Sequence, residues 1–275
     1  MILYPPAKIN IGLAIIEKRQ DGFHNIETVF YPIPLCDTLI VESVKDKTTQ
    51  KLNFSCDGIE LPDDHPLDNL CCKAYHLIDA VFQLPPTIIR LHKVIPVGAG
   101  LGGGSSDAAY TILALNDLYQ LQLSSDELVW YTSQLGSDCA FFLQNNPAFG
   151  SGKGDVLKSV ILSLSGYYII LIKPPVFVST ADAYSSVMPK KTQCHLTKAH
   201  QYPISEWRYT IFNDFEESVF SKFPEIGQVK EKLYSEGAVF ASMSGSGSSV
   251  YGIFNENPNH IADLFPDCFV WTQRL

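Results

Sequence analysis

Between positions 96 and 106 the chain reads Pro96-Val97-Gly98-Ala99-Gly100-Leu101-Gly102-Gly103-Gly104-Ser105-Ser106, with five glycines. Glycine accepts positive φ, so consecutive backbone N–H groups can turn toward one object. Followed by a helix, such a turn aims free N–H groups and the positive helix end at an anion, phosphate above all. Residues 87–94 are rich in β-branched and apolar residues and predict a strand, whereas 107–118 carry apolar residues at helical spacing. The unit is therefore strand, glycine turn, helix, with Ser105, Ser106 and Asp107 as candidate N-caps. Two phosphate-binding patterns fail here. Counted from Gly98, the lysine position of a P-loop holds Gly104. Gly98-x-Gly100-x-x-Gly103 satisfies the dinucleotide spacing, but a second helical segment at 126–135 follows instead of a parallel strand ending in an acid.

Four other places offer chemistry. In residues 7–16 the odd positions Ile9, Ile11, Leu13 and Ile15 are apolar, as a strand requires, which puts Lys8 and Asn10 together on the opposite face. That face either presents an ammonium and an amide to a site or is a solvated edge. Asp21-Gly22 tips a turn before Phe23 and His24, a stacking face beside a hydrogen-bonding edge, although a lone histidine after a turn is more often structural. Asp138 stands near a helix start with apolar residues after it, as an N-cap or a buried acid. Tyr184 rides on a short helix capped by Ser179.

The elements that position these residues read as α+β. Strands are expected at 26–33, 39–44, 51–54, 167–173, 238–243, 250–254 and 268–272. Helices are expected from Asn69 through Phe82, at 126–135 behind a Ser124–Glu127 capping box, at 215–220, at 226–236 and near His260. Residues 148–155 read as a turn around Lys153, and 188–203, which hold His195 and His200, as a connecting loop. The strand at 167–173 is expected to open a second domain, giving a division into 1–156 and 157–275.

Composition excludes several classes. With 275 residues, 46% of them hydrophobic, the chain has material for a large core. A net charge of −9 and the lack of a Lys/Arg cluster argue against nucleic acid and membrane surfaces as partners, yet leave room for a small phosphorylated ligand. Seven scattered cysteines without a CxxC pair predict reduced thiols and no structural zinc. No leader pattern and no apolar run of about 20 residues is present, so a cytoplasmic location is expected.

Taken in order, Pro6-Ala7-Lys8-Ile9-Asn10, the glycine stretch, and Ser242-Met243-Ser244-Gly245-Ser246-Gly247 resemble the three motifs of the GHMP kinases, which phosphorylate small alcohols from ATP. Asp21-Gly22-Phe23-His24 and Leu135-Gly136-Ser137-Asp138 resemble the branch of that family whose alcohol is a cytidine diphosphate-linked methylerythritol, in non-mevalonate isoprenoid precursor synthesis. The resemblance implies a ribosomal-protein-S5-like N-terminal domain and a ferredoxin-like C-terminal domain, in a monomer or homodimer. It assigns Lys8 and Asp138 to the chemistry and residues 96–106 to ATP. Mg²⁺ would be held mainly by the ATP phosphates, with Ser105 or Ser106 as the protein's contribution. Asn10 and His24 would orient the substrate, Phe23 and His24 would contact cytosine, and Tyr184 would close its other face.

Two departures stand out. Phe23 replaces the usual tyrosine, and Cys139-Ala140 stands where the family shows Val-Pro, which is expected to loosen the backbone after Asp138. A sister kinase for mevalonate, homoserine or a sugar shares all three motifs and is the rival enzyme. A nucleotide-binding protein without catalysis would have no need of Lys8 together with Asp138.

Overall fold

A computed structural model describes residues 1–44, 50–59, 68–185, 187–189 and 196–275. In chain order the elements are β1 (Ile2–Leu3), β2 (Pro6–Lys18), β3 (His24–Cys36), β4 (Thr38–Ser43), β5 (Leu52–Gly58), α1 (Leu70–Phe82), β6 (Thr87–Lys93), α2 (Gly103–Leu118), α3 (Ser125–Ser133), α4 (Phe141–Gln144), β7 (Ala148–Ser151), β8 (Val156–Ser159), β9 (Tyr168–Lys173), α5 (Thr180–Tyr184), α6 (Ile204–Thr210), α7 (Phe215–Lys222), α8 (Pro224–Ser235), β10 (Phe240–Met243), β11 (Val250–Phe254) and β12 (Phe269–Arg274). Two compact units result, one of Met1–Ala7, Leu35–Val97 and Gly102–Asn146, the other of Lys8–Pro34, Gly98–Leu101 and Pro147–Leu275.

In the first unit the sheet order is β1-β4-β6-β5, with β5 parallel to β6 and the other pairs antiparallel. Alternation sets its inner face: Leu39 pairs with Leu91 and Val41 with Ile89, all buried, while Arg90 and Glu42 meet on the outer face in an exposed ion pair. Cys71, Ala74, Tyr75 and Ile78 of α1 and Ala108, Ile112 and Leu115 of α2 fill the space above that face. Helix α1 starts where the Asn69 side chain accepts the Cys71 N–H at 2.9 Å.

The second unit has two antiparallel sheets, β2-β3-β7-β8 and β10-β11-β9-β12. Ile169 to Ile172 of β9 are all fully buried, which explains the uninterrupted apolar run. Leu13, Ile15 and Ile26 share a core with Ile170, Ile172, Val219, Val229 and Leu233.

Several sequence expectations change. Helix α2 begins at Gly103 rather than 107, because Gly102 takes the left-handed N-cap conformation (φ 70°) that starts the helix inside the glycine run. Ser105, Ser106 and Asp107 are thus within its first turns and cap nothing. The expected turn at 148–155 contains β7, which pairs with β3, and α6 occupies 204–210, which the sequence reading left unassigned. A 3-10 turn at Leu196–Gln201 interrupts the expected loop, another at Asn259–Leu264 replaces the helix near His260, and His195 lies outside the described residues.

Asn69→Ala should lower stability by about 1 kcal/mol, the usual worth of such a cap, and Asn69→Ser should retain most of it. Thermal melts of the three proteins decide the point. Equal midpoints would show that α1 is held by packing alone.

Candidate active site

In the second unit, Lys8 and Asn10 are 3% and 2% exposed, so the solvated-edge alternative does not hold. The Lys8 ammonium donates to Asn10 Oδ1 at 2.7 Å and to the Gly100 carbonyl at 3.0 Å, while its backbone N–H donates to Leu101 O. Asn10 Nδ2 donates to Thr28 Oγ1, which donates to Gly12 O. The Ser244 hydroxyl accepts the Asn10 N–H at 3.2 Å and donates to Gly100 O at 2.8 Å. Asn213 Nδ2 donates to the Met243 and Gly245 carbonyls and fixes the Ser244 turn. Gly100 is obligatory there: its φ is +77°, and a Cβ would lie 1.9 Å from Ser244 O. The first motif, the loop from Gly98 to Leu101 and the third motif are one hydrogen-bonded cluster.

The same unit holds the aromatic residues. The His24 and Tyr184 rings stack at 4.5 Å and 16°, and Tyr184 meets Phe215 edge-on. Phe23 is 58% exposed, with the Lys153 ammonium 5.1 Å from its ring centre. Burial, and then the nearby Lys18 charge, hold the His24 imidazole below the ordinary histidine value of 6.5. A neutral ring offers one donor and one acceptor nitrogen.

In the first unit, the start of α2 has the features of a phosphate seat. Its N-cap provides no side-chain hydrogen bond, and the Ser106 hydroxyl is buried without a hydrogen-bond partner among the described residues. Beneath it, Lys93 donates to Asp37 and, at 2.8 Å, to Asp107 Oδ2. Burial opposes the Lys93 charge, but the Asp107 and Asp37 carboxylates outweigh it and raise its pKa. Asp107 is pushed up to about 7 by burial, against the pull of Lys93. Burial pushes the Cys139 thiol up to about 11, against the pull of the Ser105 hydroxyl beside it. Asp138 is half-buried and is not the N-cap of α4, a position that Ala140 holds.

Among the expected residues, Lys8, Asn10 and residues 98–101 come together, as do His24 and Tyr184. Phe23 faces Lys153 instead, and Asp138 and residues 102–106 belong to the first unit. Sequence reasoning missed Thr28, Asp37, Lys93 and Asn213, whose partners are distant in the chain. A charged residue interrupting an apolar run, as Asp37 does between Cys36 and Leu39, was the available signal. Among the described residues no group of three His, Cys, Asp or Glu could hold a metal ion, and no helix is long and apolar enough to cross a membrane.

The family model for the GHMP kinases N terminal domain matches residues 69–146, and that for GHMP kinases C terminal matches 205–264. The 4-diphosphocytidyl-2-C-methyl-D-erythritol kinase of Bacteroides fragilis is 51% identical over 255 residues, covering 93% of this chain and 92% of its own. That of Parabacteroides distasonis is 47% identical over the full length of both. A solved 4-(cytidine 5'-diphospho)-2C-methyl-D-erythritol kinase matches with a TM-score of 0.85 at 30% identity, covering 99% of this chain and 98% of its own. The mevalonate kinase of Methanococcus jannaschii, at 13% identity and a TM-score of 0.73 over 100% of this chain and 98% of its own, shares the fold.

Ser244→Ala would take the Ser244 hydroxyl away from the buried Asn10 N–H and leave the Gly100 carbonyl with Lys8, a loss of about 1–3 kcal/mol. The expected result is a melting midpoint several degrees lower. A midpoint within a degree of wild type would mean that the hydroxyl ties nothing together.

Proposed function

The chain belongs to the GHMP kinase family, and from that premise we propose that it transfers the γ-phosphoryl group of ATP to the 2-hydroxyl of 4-diphosphocytidyl-2-C-methyl-D-erythritol. The observation that carries the choice of alcohol is 51% identity over 93% of the chain to a kinase named for it. The two family matches fall on either side of the proposed division into domains 1–156 and 157–275, whereas the compact units interleave, with Lys8–Pro34 and Gly98–Leu101 joining Pro147–Leu275.

Phosphoryl transfer asks a protein for positioning and charge neutralisation more than for covalent help. In the proposed reaction the substrate oxygen bonds to the γ-phosphorus, the bond from that phosphorus to the β–γ bridging oxygen breaks, and ADP leaves. Asp138 accepts the hydroxyl proton, and Lys8 steadies the developing charge. The hydrogen bonds from Lys8 to Asn10 and Gly100 support this assignment, since they fix an ammonium next to the glycine loop. Residues 96–106 hold the ATP phosphates, through backbone N–H groups and the start of α2. The Ser106 hydroxyl, without a partner among the described residues, fits an oxygen ligand for Mg²⁺, with Ser105 beside it. When bound, Mg²⁺ neutralises phosphate charge.

For cytosine, the exposed Phe23 ring provides the stacking face and neutral His24 the hydrogen-bonding edge. The stack of His24 on Tyr184 supports a place for Tyr184 beside the base. Tyr184 acts by bracing the His24 ring and flanking the base.

The first test is ADP release with ATP, Mg²⁺ and the cytidylyl alcohol, run beside mevalonate, homoserine and galactose. Turnover is expected with the first alone, and Asp138→Asn should reduce it by about 10²-fold or more. Turnover with another alcohol would discard the substrate assignment, and near-normal turnover in the variant would remove Asp138 from the chemistry. The pH profile tests His24. Its lowered pKa means that the ring gains a proton only below 6.5, so KM for the cytidylyl alcohol should stay flat from pH 8 down to 6.5 and rise below it. A rise beginning above 6.5, or one that persists in His24→Gln, would contradict the role of the neutral ring.

A further inference from the structure

We propose that the buried Asp37–Lys93–Asp107 cluster clamps the two ends of the glycine loop and so makes these side chains positioning residues for the ATP phosphates. The inference rests on the kinase reading for the identity of the ligand, but not on the identity of the alcohol.

Lys93 is the last residue of β6, and Asp107 lies in the second turn of α2, so the two flank the loop in the chain. Asp37 holds the strand side: its Oδ1 accepts the N–H groups of Val94 at 2.6 Å and Ile95 at 2.8 Å, and its Oδ2 accepts from the Lys93 ammonium. The same ammonium reaches Asp107 Oδ2 at 2.8 Å and so holds the helix side. Gly103 is fitted to this arrangement. A Cβ there would lie 3.2 Å from Lys93 Nζ and 2.9 Å from Ile95 Cγ2, so the first helical residue leaves the ammonium room to pass.

All three side chains are at most 3% exposed, and two carboxylates face one cation. Well-packed apolar residues of the same volume are often at least as stabilising as such a buried ionic group, so fold stability alone does not account for it. A glycine-rich turn does account for it. Phosphate recognition requires N–H groups placed to within about 0.5 Å, and a segment rich in glycine has no rigidity of its own to provide that. The restraint has to come from outside the loop, and this cluster attaches to its strand side and its helix side at once. Ser106, the neighbour of Asp107, carries a buried hydroxyl with no hydrogen-bond partner among the described residues, in the turn that the cluster fixes.

The test uses the full chain with a β,γ-imido ATP analogue and adenosine as probes, for wild type, Asp107→Ala and Asp107→Asn. Asp107→Ala should bind the analogue tenfold or more weakly, while adenosine, which has no phosphates to position, changes by less than twofold. Asp107→Asn keeps an oxygen for Lys93 and should bind the analogue within threefold of wild type. An analogue affinity within twofold of wild type in Asp107→Ala would overturn the proposal. Equal losses of analogue and adenosine in both variants would also overturn it, since that is the signature of a merely structural role. Binding is read without turnover, so a protein that held the analogue but refused the cytidylyl alcohol would lose the substrate assignment and keep this one.

Discussion

A lysine ammonium withdrawn from water has to be given oxygens, and the two named for Lys8 belong to Asn10 and Gly100. That requirement organises the second unit. The Gly100 carbonyl also accepts from Ser244, and Ser244 accepts from the backbone of Asn10, so segments from three remote parts of the chain share one set of hydrogen bonds. Each is fixed in turn from behind: Asn10 by Thr28 and by Tyr251, whose hydroxyl donates to its carbonyl, and the Ser244 turn by Asn213. Partly satisfied, such a network would be worse than an apolar core; nearly complete, it specifies one geometry.

The glycine loop shows why polar restraint is needed. Its positive φ values at Gly98, Gly100 and Gly102 give the backbone a path that few other residues can follow. The freedom that permits the path does not select it. Within the second unit the selection comes from Lys8, Ser244 and the Ser249 N–H on Ala99 O; within the first it comes from Asp37, Lys93 and Asp107. In each unit the segment of the loop is thus held by side chains that lie outside it.

Local signals were legible in the sequence. The Asn69 cap and the Ser124–Glu127 capping box stand where their residue types put them, because the partners lie within three positions. Strand β2 was legible from alternation, but alternation alone does not say that its polar face is buried. That depends on Thr28, Ser244 and Gly100, which no local pattern links to Lys8. The helix start at Gly103 was misplaced for a related reason: propensity sets glycine outside a helix, whereas here the absent Cβ is what lets Lys93 pass. Strand β7 was hidden because Gly150, Gly152 and Gly154 read as turn, although Gly150 pairs with Thr28 and has the Phe30 ring where a Cβ would be.

The Cys139-Ala140 pair bears on how Asp138 is held. A proline after the residue following Asp138 would fix a backbone angle there, and its loss was expected to loosen the segment. The chain restores the restraint by other means. Cys139 donates its N–H to Gly136 O, Phe141 to Asp138 O and Phe142 to Cys139 O, a run of tight turns that carries Asp138 into α4. The Cys139 side chain is fully buried in the core of the first unit, while Phe141 and Phe142 are both 1% exposed. A small side chain at 140, packed between two buried anchors, therefore does not free the carboxylate. It moves the restraint from a ring closure in one residue to the packing of its neighbours.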